Sequence, residues 1–319
     1  MVFASNSYAQ CDFGEIPIKL GSFNDADHPA KNAGLKLFRE TVNKELQGKA
    51  CLEVILDEAR FKGAVGIVAL QNSEVHMLVP RFSTLAKFSP PYQAFDLPFA
   101  FRDLASVEKF QILAGVDFIS VMAINGLEPL AFWHGYFKQI SAKKAIYYPA
   151  DLAGLKLRSD RSPTFARQVT LLNATSQQVA ENDLTIAVQS GKIDGQVTNW
   201  ERLKADGTAK ILMGASETNH GFVGYQLLAS KNWWGDLKAP IRKRLLEIIS
   251  RTTRQVNFQT ISRLRNTKQN LIRSGVIIRT LTRKQSSAWK TKFLPIWEEF
   301  SAAANMVFLE AVRKANAGL

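Results

Sequence analysis

Residues 16–21, Ile-Pro-Ile-Lys-Leu-Gly, carry an apolar side chain at every second position and end at a glycine, which is the pattern of a β-strand. Beyond this strand, runs with helical and extended periodicity alternate along the chain. They predict a helix at 29–46, a strand at 52–56, a helix at 63–72 and a strand at 75–79. This alternation is typical of a parallel sheet whose strands are joined by crossover helices.

A second α/β unit is predicted to begin near residue 130. Further strands are predicted at 129–133, 154–158 and 193–198, and further helices at 103–113, 163–172, 184–190, 238–270 and 283–317. The 319 residues are enough for two domains, and no low-complexity linker separates them. We therefore predict two α/β lobes joined by ordinary strands and helices, an arrangement that suits a hinge.

The formal net charge of +13 is concentrated in the C-terminal fifth of the chain. Residues 251–319 contain 13 Lys or Arg and 3 Asp or Glu, whereas residues 1–250 contain 28 and 25. Such a basic region can bind nucleic acid, an anionic membrane or an acidic protein, or it can be a solvated helical face. The 46% hydrophobic content excludes wholesale disorder, and no 18-residue stretch lacks charged or strongly polar groups, so no transmembrane helix is predicted.

The cysteines and histidines show no metal-site spacing. Cys11 and Cys51 are not part of a CxxC motif, and the four histidines are scattered, so we predict no metal and no cofactor. Residues 7–9, Ser-Tyr-Ala, resemble a signal-peptidase site, which predicts the remnant of an export signal; an ordinary N-terminal tail is the alternative. In an exported protein the two cysteines can form a disulfide, and two unpaired thiols are the alternative.

Six segments between about residues 16 and 300 resemble, in order and spacing, the DctP-like periplasmic solute-binding proteins of tripartite ATP-independent (TRAP) transporters. Each segment alone is weak evidence, whereas the series is specific. The segments are residues 20–29 (LGS…HP), 95–103 (FDLPFAFRD), 132–138 (FWHGYFK), 149–158 (PADLAGLKLR), 187–200 (AVQSGKIDGQVTNW) and 222–231 (FVGYQLLASK).

The resemblance implies an α/β, two-lobed periplasmic-binding-protein fold. Each lobe is expected to have a central, mostly parallel sheet, with a ligand cleft between the lobes. Lobe I is expected to comprise residues 1–134 and 224–263, and lobe II residues 135–223 and 264–319.

The resemblance also implies the principal ligand-binding residue, Arg158. It ends the predicted strand 154–158, and ligands bind beyond the carboxyl ends of the strands in such sheets. The family uses the matching arginine to grip a carboxylate, which a guanidinium can do with two parallel hydrogen bonds. A surface arginine in a salt bridge is the alternative. Lys138 stands where the family usually has a second arginine. The lysine supplies the same positive charge but lacks the planar guanidinium that can form two parallel hydrogen bonds.

The opposite wall of the site is expected from residues 196–200. Thr198 and Asn199 offer short hydrogen-bonding groups, and Trp200 offers an apolar face. The family commonly has an acidic residue and an asparagine where Val197 and Thr198 stand, so this chain departs from the pattern there and an altered ligand preference is expected. A role in the core or at the strand end is the alternative for these residues.

Further site residues are expected around other strand ends. Arg81 and Phe82 follow the predicted strand 75–79, and the unusual Arg81 predicts contact with a second anionic group; a solvated arginine is the alternative. Phe222, with Asn219, precedes the return strand and is expected to line the site. Many members of the family have a polar or acidic ligand-contacting residue in the region of residues 60–64. This chain has Arg-Phe-Lys-Gly-Ala there, which makes the region more positive.

No nucleophile–base pair, GxSxG motif or P-loop is present, so no catalysis is expected. The chain is expected to bind a small organic anion, a carboxylate, and to deliver it to TRAP membrane subunits. We expect a periplasmic monomer that binds no nucleic acid. One alternative is a ligand-sensing or nucleic-acid-binding regulator with the same two-lobe architecture, favoured only by the basic C-terminal region. The other is a small-molecule enzyme on this scaffold.

Overall fold

The fold is taken from a computed structural model, which describes residues 11–23, 29–121, 126–158, 163–180, 183–301 and 306–317. The predicted export-signal remnant lies outside these residues. The strands are β1 (Ile16–Ser22), β2 (Ala50–Leu56), β3 (Met77–Leu78), β4 (Leu127–Phe137), β5 (Gln139–Ala142), β6 (Lys156–Arg158), β7 (Thr175–Gln177), β8 (Gly195–Thr198), β9 (Ala215–Glu217), β10 (Phe222–Ser230) and β11 (Ile278–Thr280).

Helices connect most of these strands. They are α1 (Pro29–Glu45), α2 (Glu58–Phe61), α3 (Ala64–Gln71), α4 (Phe82–Leu85), α5 (Leu104–Val121), α6 (Pro163–Leu171), α7 (Leu184–Gln189), α8 (Trp200–Ala205), α9 (Lys231–Asp236), α10 (Ala239–Arg273), α11 (Arg283–Lys292), α12 (Leu294–Ser301) and α13 (Met306–Asn316). Short 3₁₀ turns cover Pro90–Asp96, Pro149–Leu152 and Thr208–Lys210. No helix within the described ranges is long and apolar enough to cross a membrane.

The chain divides into two compact units. Unit 1 comprises Met1–Tyr92, Val116–Gly135 and Gly224–Thr260, and unit 2 comprises Gln93–Gly115, Tyr136–Val223 and Ile261–Leu319. Each unit contains one β-sheet flanked by helices, which confirms the predicted α/β class with two sheets.

The sheet of unit 1 has the strand order β2-β1-β3-β10-β4. β1 pairs in parallel with β2 and β3, and β10 runs antiparallel to β3. The core of unit 1 joins Leu35 and Phe38 of α1 to Leu245 of α10. The two helices approach closely at Gly34, where a Cβ atom would lie 3.0 Å from Cγ1 of Val256. A larger residue at this helix crossing would require Val256 to shift.

The sheet of unit 2 has the strand order β11-β9-β5-β8-β6-β7. β6 pairs in parallel with β7 and β8, and β9 pairs in parallel with β11. β5 lies between β8 and β9 and runs antiparallel to both. The carboxyl ends of β6, β8 and β9 and the amino end of β5 therefore lie at one edge of this sheet.

Residues 93–115 belong to unit 2, whereas the sequence analysis placed them in the first lobe. The reason is an aromatic cluster that the sequence does not reveal. The rings of Phe95, Phe101 and Phe110 contact one another, and Phe101 also contacts Phe222 with 5.8 Å between centroids. The indole of Trp297 donates a 2.8 Å hydrogen bond to the carbonyl oxygen of Pro98, which ties the same segment to α12.

Cys11 and Cys51 form a disulfide, with 5.6 Å between their Cα atoms. The bond connects the segment before β1 to β2, which is the neighbour of β1 in the sheet. Of the two alternatives left open by the sequence, the structure therefore contains the disulfide. Both thiols are used in this bond, so the group of Cys11, Cys51 and Glu53 offers no thiolate to a metal ion.

Replacing both cysteines by serine is expected to lower the free energy of unfolding by about 4 kcal/mol, because the bond closes a loop of 40 residues in the unfolded chain. Urea unfolding of the oxidised wild type, the reduced wild type and the double variant measures this difference. The reduced wild type and the double variant should agree. Equal stability of all three would contradict a structural role for the bond.

His134 is a fully buried histidine on β4 in unit 1. Neither ring nitrogen has a hydrogen-bond partner among the described residues, although the backbone N–H donates a 2.8 Å bond to Oδ1 of Asn257. Burial lowers the pKa of the imidazole to about 4, because the charged form loses its hydration. The ring is therefore neutral in the folded protein at neutral pH.

Acid is expected to destabilise the protein between pH 6.5 and pH 4, because in this range the unfolded chain gains a proton at His134 that the folded chain does not. Over the whole interval the loss is about 3 kcal/mol. His134→Gln is expected to remove most of this dependence in urea unfolding at several pH values. The quantity compared is the change in the free energy of unfolding with pH, not its absolute value. An unchanged pH dependence in the variant would contradict the role of His134.

Candidate ligand-binding site

The carboxyl edge of the unit 2 sheet gathers most of the residues that the sequence analysis selected. Arg158 pairs with Gln196, so β6 and β8 end side by side. Gln139, the first residue of β5, pairs with Thr198, the last residue of β8. Lys138 immediately precedes β5 and therefore lies at the same edge. This is the edge at which ligands bind in sheets of this kind.

Arg158 is half-buried at the end of β6. Its Nε atom donates a 3.3 Å hydrogen bond to the carbonyl oxygen of Val179. This bond orients the guanidinium and leaves the two Nη groups without a partner among the described residues. Arg158 also forms no ion pair with any described carboxylate, so the salt-bridge alternative finds no partner there. The planar fork matches the geometry of a carboxylate.

Lys138 is fixed by the loop that follows β9. Its backbone N–H donates a 2.7 Å hydrogen bond to the carbonyl oxygen of Gly221. A Cβ atom at Gly221 would lie only 3.2 Å from Cδ of Lys138, so the lysine side chain runs along the space left by this glycine. Packing against Gly221 therefore positions the Lys138 side chain at the edge of the sheet.

A polar network holds this loop in place. The side-chain amide of Gln139 donates a 2.7 Å bond to Oδ1 of Asn219, and the backbone N–H of Asn219 donates a 3.2 Å bond back to Oε1 of Gln139. Asn219 has a φ of +48°, in the left-handed region that asparagine tolerates better than most residues. Oγ1 of Thr218 and Nδ1 of His220 are 2.7 Å apart. His220 is thus a structural residue, and the loop is rigidly attached to β5.

Thr198 and Asn199 are buried at the end of β8. Oγ1 of Thr198 donates a 3.3 Å bond to the carbonyl oxygen of Asn199, and Oδ1 of Asn199 accepts a 3.0 Å bond from the backbone N–H of Arg202. Asn199 is therefore the N-cap of α8. Both side chains have structural hydrogen bonds, and their contact with a ligand stays a prediction.

Trp200 is buried in unit 2, and its expected contact with a ligand stays a prediction. It is the first residue of α8, and its side chain packs with Leu203, Ala215 and Leu271. The Nζ atom of Lys268 lies 5.7 Å from the centre of its ring. These contacts bury the indole within unit 2.

Phe222 is buried at the start of β10. Its ring centroid lies 5.3 Å from that of Phe137 and 5.8 Å from that of Phe101. It follows directly on the loop that holds Lys138, so it brings an apolar surface next to this edge of unit 2. Its contact with a ligand stays a prediction.

Arg81 and Phe82 lie at the carboxyl edge of the unit 1 sheet. Arg81 extends β3 through a bridge to Tyr225 of β10 and is half-buried. Phe82 is almost fully buried, and its ring contacts those of Phe132 and Tyr92. Arg81 follows β3, and Phe82 packs against aromatic rings of unit 1; contact of either residue with a ligand stays a prediction.

Lys31 is a cation at this edge that the sequence analysis missed. It is 1% exposed, its Nζ donates a 3.0 Å bond to the carbonyl oxygen of Phe23, and the same atom lies 3.7 Å from the centre of the Phe23 ring. The signal is in the sequence, because Lys31 occupies the helical stripe that continues with Leu35, Phe38 and Val42. A lysine on the apolar face of an amphipathic helix predicts a buried side chain.

The comparisons with known proteins agree with this fold. The profile of bacterial extracellular solute-binding protein family 7 matches residues 20–303, and the chain belongs to this family. The C4-dicarboxylate-binding periplasmic protein DctP of Vibrio cholerae is 33% identical over 316 residues, which cover 99% of this chain and 95% of the relative. The corresponding DctP of Rhodobacter capsulatus is 29% identical over 308 residues, which cover 95% and 91%.

Solved structures give the same result. A TRAP periplasmic solute-binding protein from Pseudomonas aeruginosa, with bound L-malate, matches with a TM-score of 0.77 and 28% identity, over 89% of this chain and 99% of that protein. Another from Shewanella oneidensis, with bound succinate, matches with a TM-score of 0.82 and 25% identity, over 95% and 99%. These relatives are binding proteins, and they give no support to the alternative of a nucleic-acid-binding regulator.

Proposed function

We propose that this chain binds a small dicarboxylate and delivers it to the membrane subunits of a TRAP transporter. The observation that carries the proposal is Arg158, whose two Nη groups have no described partner at the carboxyl edge of unit 2. The family and the ligands named for its relatives, C4-dicarboxylates, L-malate and succinate, support the same substrate class.

One carboxylate is assigned to Arg158, with Lys138 supplying a second positive charge at the same edge. A guanidinium binds a carboxylate through two charge-assisted hydrogen bonds, while an ammonium attracts it as a point charge. Arg81 and Lys31 are cations at the carboxyl edge of the unit 1 sheet, and contact of either with a ligand stays a prediction.

The same proposal includes the location and the absence of catalysis. A disulfide between Cys11 and Cys51 is typical of a protein from an oxidising compartment. The DctP relatives from Vibrio cholerae and Rhodobacter capsulatus are periplasmic proteins. The family is one of solute-binding proteins, so we propose that the ligand is released chemically unchanged from a periplasmic protein. A monomeric state is part of the proposal and is measured by the molar mass in solution.

Arg158→Ala is expected to weaken succinate binding by about 100-fold or more, since truncation leaves a carboxylate without its hydrogen-bonded partner. Arg158→Lys should recover only part of the affinity because the planar fork is lost. Isothermal titration calorimetry with succinate and L-malate measures both effects.

Arg167→Ala is the matched control, because Arg167 is an exposed arginine of unit 2 that pairs with Glu299 on the surface. This control should bind succinate as the wild type does. Near-native succinate affinity of a folded Arg158→Ala variant would refute the assignment of the carboxylate to Arg158.

A further inference from the structure

Unit 2 contains a second concave site at the opposite edge of its sheet. A groove of about 1270 Å³ lies among the 3₁₀ turn Pro149–Leu152, the end of α6 and one face of α11. Ala153 and Asn173, which line it, precede β6 and β7. The groove therefore lies at the amino ends of these strands, whereas Arg158 lies at the carboxyl end of β6. It is separate from the site assigned to the ligand.

The floor of the groove is apolar and its rim is basic. Leu171, Leu172 and Pro295 contribute apolar surface, and the exposed Arg283, Lys284 and Lys292 contribute three positive charges; we call this site the basic groove. None of its lining residues is acidic. Within the described part of the chain, none of the three cations forms an ion pair.

Asp151 is the acidic residue nearest in sequence to the residues that line the groove, and it forms hydrogen bonds within its own turn. Asp151 lies on the 3₁₀ turn, and its Oδ2 atom accepts 2.8 Å hydrogen bonds from the backbone N–H groups of Tyr147 and Tyr148. Its carboxylate holds the turn and forms no ion pair with the described rim cations. The three rim cations are therefore available to an acidic partner.

The helix that carries the rim is firmly fixed. Trp289 of α11 is fully buried and donates a 3.0 Å hydrogen bond from its indole to the carbonyl oxygen of Tyr147. Thr282 and Gln285 form a capping box at the start of the helix. The basic groove is thus preformed, which lowers the entropy cost of binding a partner.

Two features decide which kind of partner fits. An apolar floor under a positive rim is complementary to a segment that carries both apolar and acidic side chains. A concave groove accepts a protruding segment of a protein, whereas a lipid surface would be met by a protruding patch. The shape and the charge therefore favour an acidic protein segment over an anionic membrane.

We propose that the basic groove docks an acidic, apolar segment of the TRAP membrane subunits that receive the ligand. This proposal rests on the proposed function, and it assigns delivery to a surface other than the ligand site. Docking of this kind is expected to be transient, with charge that speeds association and becomes weaker at high salt.

The test compares two double variants with the same change in net charge. Arg283→Glu with Lys292→Glu reverses two rim charges. Arg265→Glu with Lys290→Glu is the control, because both residues are exposed in unit 2 and neither lines the groove. Binding of each full-length chain to the membrane subunits, reconstituted in vesicles of neutral lipid, is measured at low and at physiological salt, with succinate present.

The groove variant is expected to bind the membrane subunits about 30-fold more weakly than wild type at low salt, and the control less than about threefold. Equal weakening of both variants, or of neither, would overturn the proposal. Both variants should retain wild-type succinate affinity in calorimetry, which separates this result from a failure of the ligand assignment. If wild type binds no membrane subunits, the proposed delivery fails together with the groove.

A second experiment tests an anionic membrane as the partner of the basic groove. Vesicles that contain phosphatidylglycerol and no protein are mixed with the wild type and the groove variant at physiological salt. No binding of either chain is expected. Binding of wild type that is lost in the groove variant would assign the basic groove to lipid and overturn the proposal.

Discussion

The antiparallel insertion of β5 between β8 and β9 is the constraint on which the ligand site of unit 2 depends. It brings the start of β5 next to the ends of β6, β8 and β9, so residues far apart in the sequence reach one edge. Lys138 and Arg158 both lie at this edge, and the loop after β9 packs against both the backbone and the side chain of Lys138. The hydrogen-bonded amide pair of the buried Gln139 and the half-buried Asn219 fixes this junction.

Some basic residues form ion pairs within the chain, and others have no described acidic partner. Several cations of the C-terminal fifth pair with acidic residues from earlier in the chain: Arg251 with Glu45, Arg263 with Glu201 and Lys268 with Glu217. Burial raises the pKa of Glu201, against the effect of its arginine partner. Arg158 and the rim of the basic groove have no such described partners. These are the places where an external anion can supply the missing charge.

Much of the scaffold could be predicted because its signals are local. The predicted strand 16–21 and helix 29–46 differ from β1 and α1 by one residue, since alternation and helical stripes mark both. The short strands β5 and β9 were missed. They contain Ser141 and Ser216, buried serines whose hydroxyls donate to the carbonyl oxygens of Gly214 and Ile146, and such long-range hydrogen bonds leave no periodic signal.

The positions of the candidate site residues are predictable where a residue ends a strand and unpredictable where packing decides. Arg158 and Lys138 lie at one edge because the strand ends fix them. The burial of Trp200 and Lys31 depends on tertiary contacts, with Ala215 and Leu271 in one case and with Phe23 and Tyr225 in the other. The placement of residues 93–115 in unit 2 likewise depends on a phenylalanine cluster that links distant segments.

The most direct measurement is a crystal structure of the protein with bound succinate. We expect one carboxylate to accept two hydrogen bonds of about 2.7–2.9 Å from the guanidinium of Arg158. Succinate bound elsewhere, with the Arg158 guanidinium out of hydrogen-bond range of both carboxylates, would contradict the central claim that the carboxyl edge of unit 2 holds the ligand.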